Sequence, residues 1–304
     1  MKILLATQKP FSYIAVDQLK KLAKAKHELI LFEKYKEQSD LENAIKDVDA
    51  LIVRSDKVTA DVINVATNLK IVVRAGAGYD NIDLQSCSDR NIVVMNTPGQ
   101  NSNAVAELSL GLMIYLARNT FLPGTGSELK GKKLGIHAYG NVGKLVAALA
   151  KGFGMEVSAF DPFVDDNILI GDGVNPIKSV EELYAGSDII SINIPAMPST
   201  IKSINKNLLN NLKGNVILIN TARKEVIDEI DLLSAMRQNQ GIKYGTDIAP
   251  DCHEKMKEFE ARYFATPKKL GAETEEANIN AAVAALNQII DFFETGNERF
   301  RVNK

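Results

Sequence analysis

The sequence predicts an α/β protein made of two doubly wound parallel-sheet domains, and three observations carry that prediction. Short β-rich apolar runs alternate with helical patterns through the first hundred residues, and the same rhythm restarts further on. The chain has 304 residues, 45% of them apolar, enough for two sizeable cores. In order, the first unit reads KILLAT, a helix through Ser12 to Ala25, HELILFE, a short helix near Leu41, ALIVRS, ADVINVA, KIVVRAGAG and NIVVMNT. The stretch NSNAVAELSLGLMIYLARN then reads as a helix, followed by six strand candidates: KLGIHA, EVSAFD, DIISINIP, NVILINT, YGTDIA and RYFATP. Between the units, FLPGTGSELKGKK has the Pro, Gly and Ser content of an exposed connection. TEEANINAAVAALNQIIDFFETG is an amphipathic helix with Thr274 as N-cap and Gly296 as stop, returning to the first domain. The expected domains are residues 1–97 with 275–304, and residues 98–274.

Charge and cysteine usage narrow the class. With 36 basic and 38 acidic residues interspersed, the net charge is −2, which argues against nucleic-acid or membrane partners. Cys87 and Cys252 are too few and too distant for a disulfide framework or a zinc site, so no metal is expected. MKILLATQKP shows no cleavage pattern, and LSLGLMIYLA is well below spanning length. A soluble, cytoplasmic protein is the expectation.

Residues 131–150, GKKLGIHAYGNVGKLVAALA, form a strand, a turn with two glycines and a helix with an alanine-rich face. The dinucleotide fingerprint G-x-G-x-x-G is met at Gly140 and Gly143, with Ala138 in the first place. Alone, the turn reads equally well as a ligand-free connection. Asp161, 18 residues past Gly143 at the end of the next strand, tips the reading toward a Rossmann domain. Its carboxylate is placed to accept hydrogen bonds from the adenosine ribose and to repel a 2′-phosphate. Gly140 would let the backbone approach a pyrophosphate at the helix N-terminus, and Gly143 would allow close packing of helix on strand. NAD is the expected cofactor.

Seven segments then follow one another in a shared order: VRSDKVT (53–59), VRAGAGYDNIDL (73–84), VVMNTPGQNSNAVAEL (93–108), AYGNVG with AFDPF, DIISINIP (188–195), ILINTAR (217–223) and GAETEEAN (271–278). In these the chain resembles the D-isomer-specific 2-hydroxyacid dehydrogenases, in particular their short phosphoglycerate dehydrogenase branch. The resemblance implies a Rossmann NAD domain and a flavodoxin-like substrate domain. It implies oxidation of the C2 hydroxyl of a small acid, 3-phosphoglycerate, to 3-phosphohydroxypyruvate at the start of serine biosynthesis. Reduction of glyoxylate or hydroxypyruvate, and a non-catalytic NAD-sensing corepressor, remain as alternatives.

The same resemblance assigns residues. Arg223 would hold the acid bidentately and polarise its reacting oxygen. Backbone N–H groups of Ala75, Gly76, Ala77 and Gly78 would surround the substrate carboxylate. Arg54 and Arg74 would pair a phosphate, with Ser55 beside the first and Asn103 lining the cleft. Cofactor contacts are implied for Tyr139, Gly140, Asn141, Val142, Gly143, Asp161, Pro162, Asn193, Ile194, Pro195, Thr200, Thr221, Ala222, Asp247 and Gly271, with Asp247 near the nicotinamide amide. A homodimer paired through the NAD domain is implied, with the NSNAVAEL helix and the FLPGTGSELKG arm as contacts.

The family's catalytic histidine is missing. Where relatives read TPHIGAST, this chain reads TPKKLGAET. Anchoring on the downstream G-A-x-T puts Lys269 opposite the histidine, whereas anchoring on TP puts Lys268 there. The family glutamate falls around PDC, nearest Asp251 or Cys252. A free lysine, with a pKa of about 10.4, donates a proton in the reduction direction, and burial or Arg223 would lower that value. A solvated lysine pair on a loop is the plain alternative.

Overall fold

Unbroken runs of Ile, Val and Leu fold here as parallel strands covered on both faces, the environment such runs suit. The computed structural model describes residues 1–23 and 26–303. It divides into two units, Met1–Asn101 with Glu273–Lys304, and Ser102–Ala272.

In the first unit β1 (Lys2–Thr7), α1 (Tyr13–Ala23), β2 (Glu28–Glu33), α2 (Gln38–Ala44), β3 (Ala50–Val53), α3 (Ala60–Val65), β4 (Ile71–Arg74), α4 (Leu84–Asp89) and β5 (Val93–Asn96) alternate. The sheet order is β2-β1-β3-β4-β5, the flavodoxin-like arrangement. Because side chains alternate along a strand, Ile3, Leu5, Ile52 and Val73 join Ala15 and Leu19 of α1 in one core. Leu4, Leu51, Val53 and Val72 join Leu41, Val62 and Cys87 in the other. The run ADVINVA is helix α3, begun by Thr59, whose hydroxyl accepts from Val62 N. Ala25, the expected end of the first helix, and Lys304 lie outside the described residues.

The second unit begins with α5 (Ser102–Ala117) and continues through β6 (Lys133–His137), α6 (Asn141–Gly152), β7 (Glu156–Phe160), α7 (Asp166–Gly171), β8 (Asn175–Pro176), α8 (Val180–Gly186) and β9 (Ile189–Ile192). It ends with α9 (Lys206–Leu209), β10 (Val216–Asn220), α10 (Glu229–Gln238), β11 (Ile242–Thr246), α11 (His253–Met256) and β12 (Tyr263–Ala265). Its parallel sheet has seven strands, β12-β11-β10-β9-β6-β7-β8. Six were expected; the seventh, β8, is only two residues pairing Ser158 with Asn175 and Ala159 with Pro176, too short to show an apolar run. The stretch FLPGTGSELKGKK is mostly exposed as expected, but it joins α5 to β6 inside this unit rather than linking the units.

Helix α12 (Glu275–Thr295) belongs to the first unit. Thr274 caps it by accepting from Ala277 N at 3.2 Å, and Gly296, at φ 75°, ends it. Its buried Ala281, Ala282, Ala285, Leu286 and Ile289 complete the α1-side core. Beyond it, Arg301 pairs antiparallel with Met95, Val302 N donates to Val94 O, and the side chain of Asn303 accepts from Val94 N at 2.8 Å. Among the described residues no helix is long and apolar enough to cross a membrane.

Candidate functional site

In each parallel sheet the carboxyl ends of the strands share one edge, where doubly wound sheets take their ligands. In the second unit every candidate residue except Asn103 lies in or just beyond such an end. Surface hollows lined by Lys2, Glu28 and Asp49, and by Lys133, Glu156 and Asn175, lie at the opposite, amino ends of strands and contain no candidate.

At the end of β6 the chain turns through Ala138, whose φ of 78° is left-handed. That conformation costs a residue with a Cβ about 1–2 kcal/mol, so the replaced glycine of the fingerprint survives as a strained alanine. Gly140 is the N-cap of α6 and offers no side chain to cap it. The N–H groups of Asn141, Val142 and Gly143 therefore take no hydrogen bond among the described residues. A Cβ on Gly143 would lie 2.4 Å from the carbonyl oxygen of Ala138 and 3.1 Å from Ile136 Cγ2, so helix and strand pack without room for one. A Cβ on Gly140 would meet nothing within 4 Å, so packing does not require that glycine.

Asp161 braces the turn. Its Oδ2 accepts from Tyr139 N at 2.8 Å and its Oδ1 from Phe163 N at 2.9 Å, and the residue stays partly exposed. Tyr139 offers the turn only its backbone: its ring is buried and its hydroxyl donates to Asp172 at 3.0 Å. His137 is buried beside Tyr184 OH, at 3.2 Å, and burial pushes its pKa down to about 4 against the opposing pull of Asp161. It is a neutral ring of the strand. Beyond β9, Asn193 donates its backbone N–H to His137 O at 2.9 Å, and its amide donates to Ser191 O at 3.1 Å. Ile194 is buried, whereas Pro195 and Pro162 are exposed. Thr200 ties the next loop by donating to Pro195 O at 2.5 Å and accepting from Met197 N at 2.8 Å.

After β10, Asn220 splints the turn that carries Arg223. Its Oδ1 accepts from Ala222 N at 3.0 Å and its amide donates to Arg223 O at 2.9 Å. Thr221 is buried with its hydroxyl 2.9 Å from that of Ser109. The half-buried Arg223 spends one donor on Ala222 O at 3.0 Å; its other donors take no partner among the described residues. Lys224, next in line, forms an ion pair with Asp251, and that hydrogen bond raises its pKa. Asp251 and Cys252 donate their backbone N–H groups to Glu229 at 3.0 and 2.9 Å. Burial, then Glu229, pushes the Cys252 thiol up to about 11. Of the two expected stand-ins for the family glutamate, one is thus tied to Lys224 and the other is a protonated thiol. Glu229 is the carboxylate that organises this segment, and in the sequence it looks like any acid in the first turn of a helix.

The lysine pair is held from a distance. Asp247, directly after β11, is 1% exposed. Its Oδ1 accepts from Leu270 N at 2.8 Å and Thr266 Oγ1 at 3.1 Å, and its Oδ2 accepts from Gly271 N at 2.8 Å. Thr266 Oγ1 also lies 2.7 Å from both Lys268 O and Asp247 O, and its single proton serves one of these acceptors at a time. A Cβ on Gly271 would stand 2.7 Å from Asp247 Oδ2. Both lysines are exposed. His253 opens α11 with its Nδ1 2.7 Å from Tyr263 OH, and His27 precedes β2.

In the first unit, Arg54 follows β3. Its guanidinium reaches Asn278 of α12 and Lys9 O and lies 5.1 Å over the Phe11 ring. Arg74 ends β4 and donates Nε to Arg54 O at 3.0 Å. It folds over Gly76, where φ is 150° and a Cβ would stand 1.4 Å from Arg74 Nη1. The expected nest is smaller than four residues. Ala75 N donates to Val53 O and Gly76 N to Arg74 O, leaving only the N–H groups of Ala77 and Gly78 without a partner among the described residues. Ser55 is exposed. Asn103, in the first turn of α5, donates to Glu107 at 2.7 Å.

A parallel sheet with this glycine turn after β6, its bracing acid after β7 and an arginine just past β10 defines a dehydrogenase-type α/β protein. The profile of the D-isomer specific 2-hydroxyacid dehydrogenase catalytic domain matches residues 9–303, and the chain belongs to that family. It is similar to the NAD+-bound 3-phosphoglycerate dehydrogenase of Entamoeba histolytica, 47% identical over 100% of this chain and 99% of that one, with a TM-score of 0.89. It is 36% identical to the hydroxypyruvate reductase of Thermotoga maritima, covering 87% of this chain and 91% of that protein. The D-3-phosphoglycerate dehydrogenase of Methanocaldococcus jannaschii is 34% identical over 83% of this chain, which spans 51% of its length.

Proposed function

We propose that the chain is an NAD-dependent D-3-phosphoglycerate dehydrogenase, with residues 1–97 and 275–304 binding substrate and residues 98–274 binding NAD. The observation that carries this reading is the uncapped amino end of α6 beside Asp161, in a chain similar over its whole length to a phosphoglycerate dehydrogenase with NAD+ bound. The three unpaired N–H groups of Asn141, Val142 and Gly143 fit a pyrophosphate. The partly exposed Asp161 has lone pairs left for ribose hydroxyls.

NAD, when bound, supplies the acceptor for the hydride that leaves C2. Arg223 orients the acid with the donors its own turn leaves unused. Ala77 and Gly78 N–H take the carboxylate, and Arg54 and Arg74 take the phosphate. Lys269 handles the proton of the C2 hydroxyl. A lysine is charged near neutrality, so the oxidation it assists as a base rises with pH, and the reduction it assists as an acid runs at neutral pH.

NADH absorbance with 3-phosphoglycerate, glycerate, phosphohydroxypyruvate, hydroxypyruvate and glyoxylate, run across pH, tests the assignment. Turnover confined to unphosphorylated acids would overturn it. That outcome would favour hydroxypyruvate reduction, a reading supported by the Thermotoga relative, which this chain spans almost completely. We place the protein in the cytoplasm, as a homodimer paired through α5 and the arm after it, where Phe121 and Leu122 are exposed. Light scattering of wild type and Phe121→Asp checks the pairing.

A further inference from the structure

We propose that Asp56 is a positioning residue that aims Arg54 at the substrate phosphate and so sets the preference for a phosphorylated acid. The proposal rests on the phosphoglycerate reading above. Asp56 is 6% exposed, and it gathers the carboxyl edge of the first sheet. Its Oδ1 accepts from Gln8 N, just past β1, at 2.7 Å and from Tyr35 OH, beyond β2, at 2.9 Å. Its Oδ2 accepts from Arg54 N, just past β3, at 3.3 Å. Strands β2, β1 and β3 are neighbours, so one carboxylate ties together the loops of three adjacent strand ends. The carbonyl of Arg54 is held as well, by Arg74 Nε at 3.0 Å and by Asn81 Nδ2 at 3.3 Å. The backbone of Arg54 is therefore pinned on both sides before its side chain begins.

Three features tie this buried acid to the aim of the arginine. The guanidinium rests on the very loop that Asp56 holds: Nη1 donates to Lys9 O at 3.4 Å, one residue past Gln8, and the group lies 5.1 Å over the Phe11 ring. Arg54 is half-buried, and beyond its bonds to Lys9 O and Asn278 its donors take no partner among the described residues, which leaves part of the fork for a phosphate. The chain reaches Tyr35 through Lys34, whose φ of 61° is left-handed, a local strain of the kind that persists where surrounding structure demands it. Tyr35 is buried and stacked on Phe32 at 5.2 Å, and burial, then its bond to Asp56, raises its pKa, so the hydroxyl stays a donor. Aim matters because a long side chain magnifies any tilt of its root, and a misplacement of about 1 Å costs up to about 100-fold in rate.

Asp56→Asn tests this, because an amide nitrogen cannot accept, so either Arg54 N or the Gln8 and Tyr35 donors lose their partner. Tyr35→Phe removes one tether and leaves the acid in place. NADH consumption by the full chain is followed with phosphohydroxypyruvate and with hydroxypyruvate, for wild type, both variants, Arg54→Gln and the double variant Arg54→Gln/Asp56→Asn. The readout is the ratio of the two kcat/KM values. Asp56→Asn is expected to lower that ratio about 10-fold, chiefly through KM for the phosphorylated acid, and Tyr35→Phe to lower it about 3-fold. With Arg54 already replaced, Asp56→Asn is expected to change the ratio by less than about twofold, since the two residues act as one unit. An unchanged ratio in Asp56→Asn, or an equal loss with both acids, overturns the proposal. So does a full further loss in the double variant, which would show Asp56 acting apart from Arg54. Should Asp56→Asn fail to fold, the ratio in Tyr35→Phe decides alone. A wild type with no preference for the phosphorylated acid removes the phosphoglycerate reading and the role of Asp56 together, whereas a wild-type preference that both variants keep removes only the latter.

Discussion

Asp161 and Asp247 are the same device used twice. Each stands just past the end of a strand, β7 or β11, and each braces the loop beyond the neighbouring strand, at Tyr139 in one case and at Leu270 and Gly271 in the other. They differ in exposure: Asp161 is partly open, and Asp247 is 1% exposed. An open brace keeps acceptor capacity exposed to solvent, whereas the buried one accepts from the scaffold on both of its oxygens. Chemistry at a strand end is therefore decided by access as much as by residue type.

Removing each acid gives the largest expected contrast. Asp247→Ala strands two buried amides at about 1–3 kcal/mol each, so urea unfolding is expected to show a loss of about 3 kcal/mol. Asp161→Ala is expected to cost about 1 kcal/mol, because water can reach the freed donors, while relaxing the preference for NAD over NADP. Equal losses would break the comparison.

The glycines packed into the two loops sharpen it. Gly143→Ala drives a Cβ against the carbonyl of Ala138, which cannot yield, for an expected loss of about 1–3 kcal/mol. Gly271→Ala brings a Cβ to 2.7 Å from Asp247 Oδ2, a looser approach than the 2.4 Å at Gly143 and against a side chain rather than backbone, so a smaller loss in the same urea titration is expected. A smaller effect again concerns pH. His137 is buried with its pKa down to about 4, so below about 6.5 the unfolded chain binds a proton that the folded one refuses. Stability is then lost as pH falls, by about 1 kcal/mol at pH 5.5, and His137→Gln should flatten that slope. Asp161→Asn should steepen it, since the Asp161 charge opposes the shift. Smallest is Ala138→Gly, which relieves the positive φ against a greater chain entropy, for a gain of at most about 1 kcal/mol.

What could be read from the sequence was local. The apolar runs, the spacing of Gly140, Gly143 and Asp161, and the Thr274 and Gly296 ends of α12 each announce themselves within a few residues. Strand β8 did not, because its two residues pair through backbone alone. The nest shrank because Ala75 gives its N–H to Val53, a pairing set by the β3–β4 register, and Gly76 gives its own to Arg74 in a tight local turn. Glu229 and Thr266 went unseen for a related reason. Each acts on backbone brought to it by folding, and neither belongs to a pattern of its own.

The short antiparallel return at 301–303 has a consequence beyond the first unit. Strand β5 is an outer strand of its sheet, and a bare margin of that kind recruits strands from other molecules into aggregates. With Val302 and Asn303 occupying Val94 on both its N–H and its carbonyl, that margin is already satisfied from within, and this flank is closed to fibril-like growth at that point.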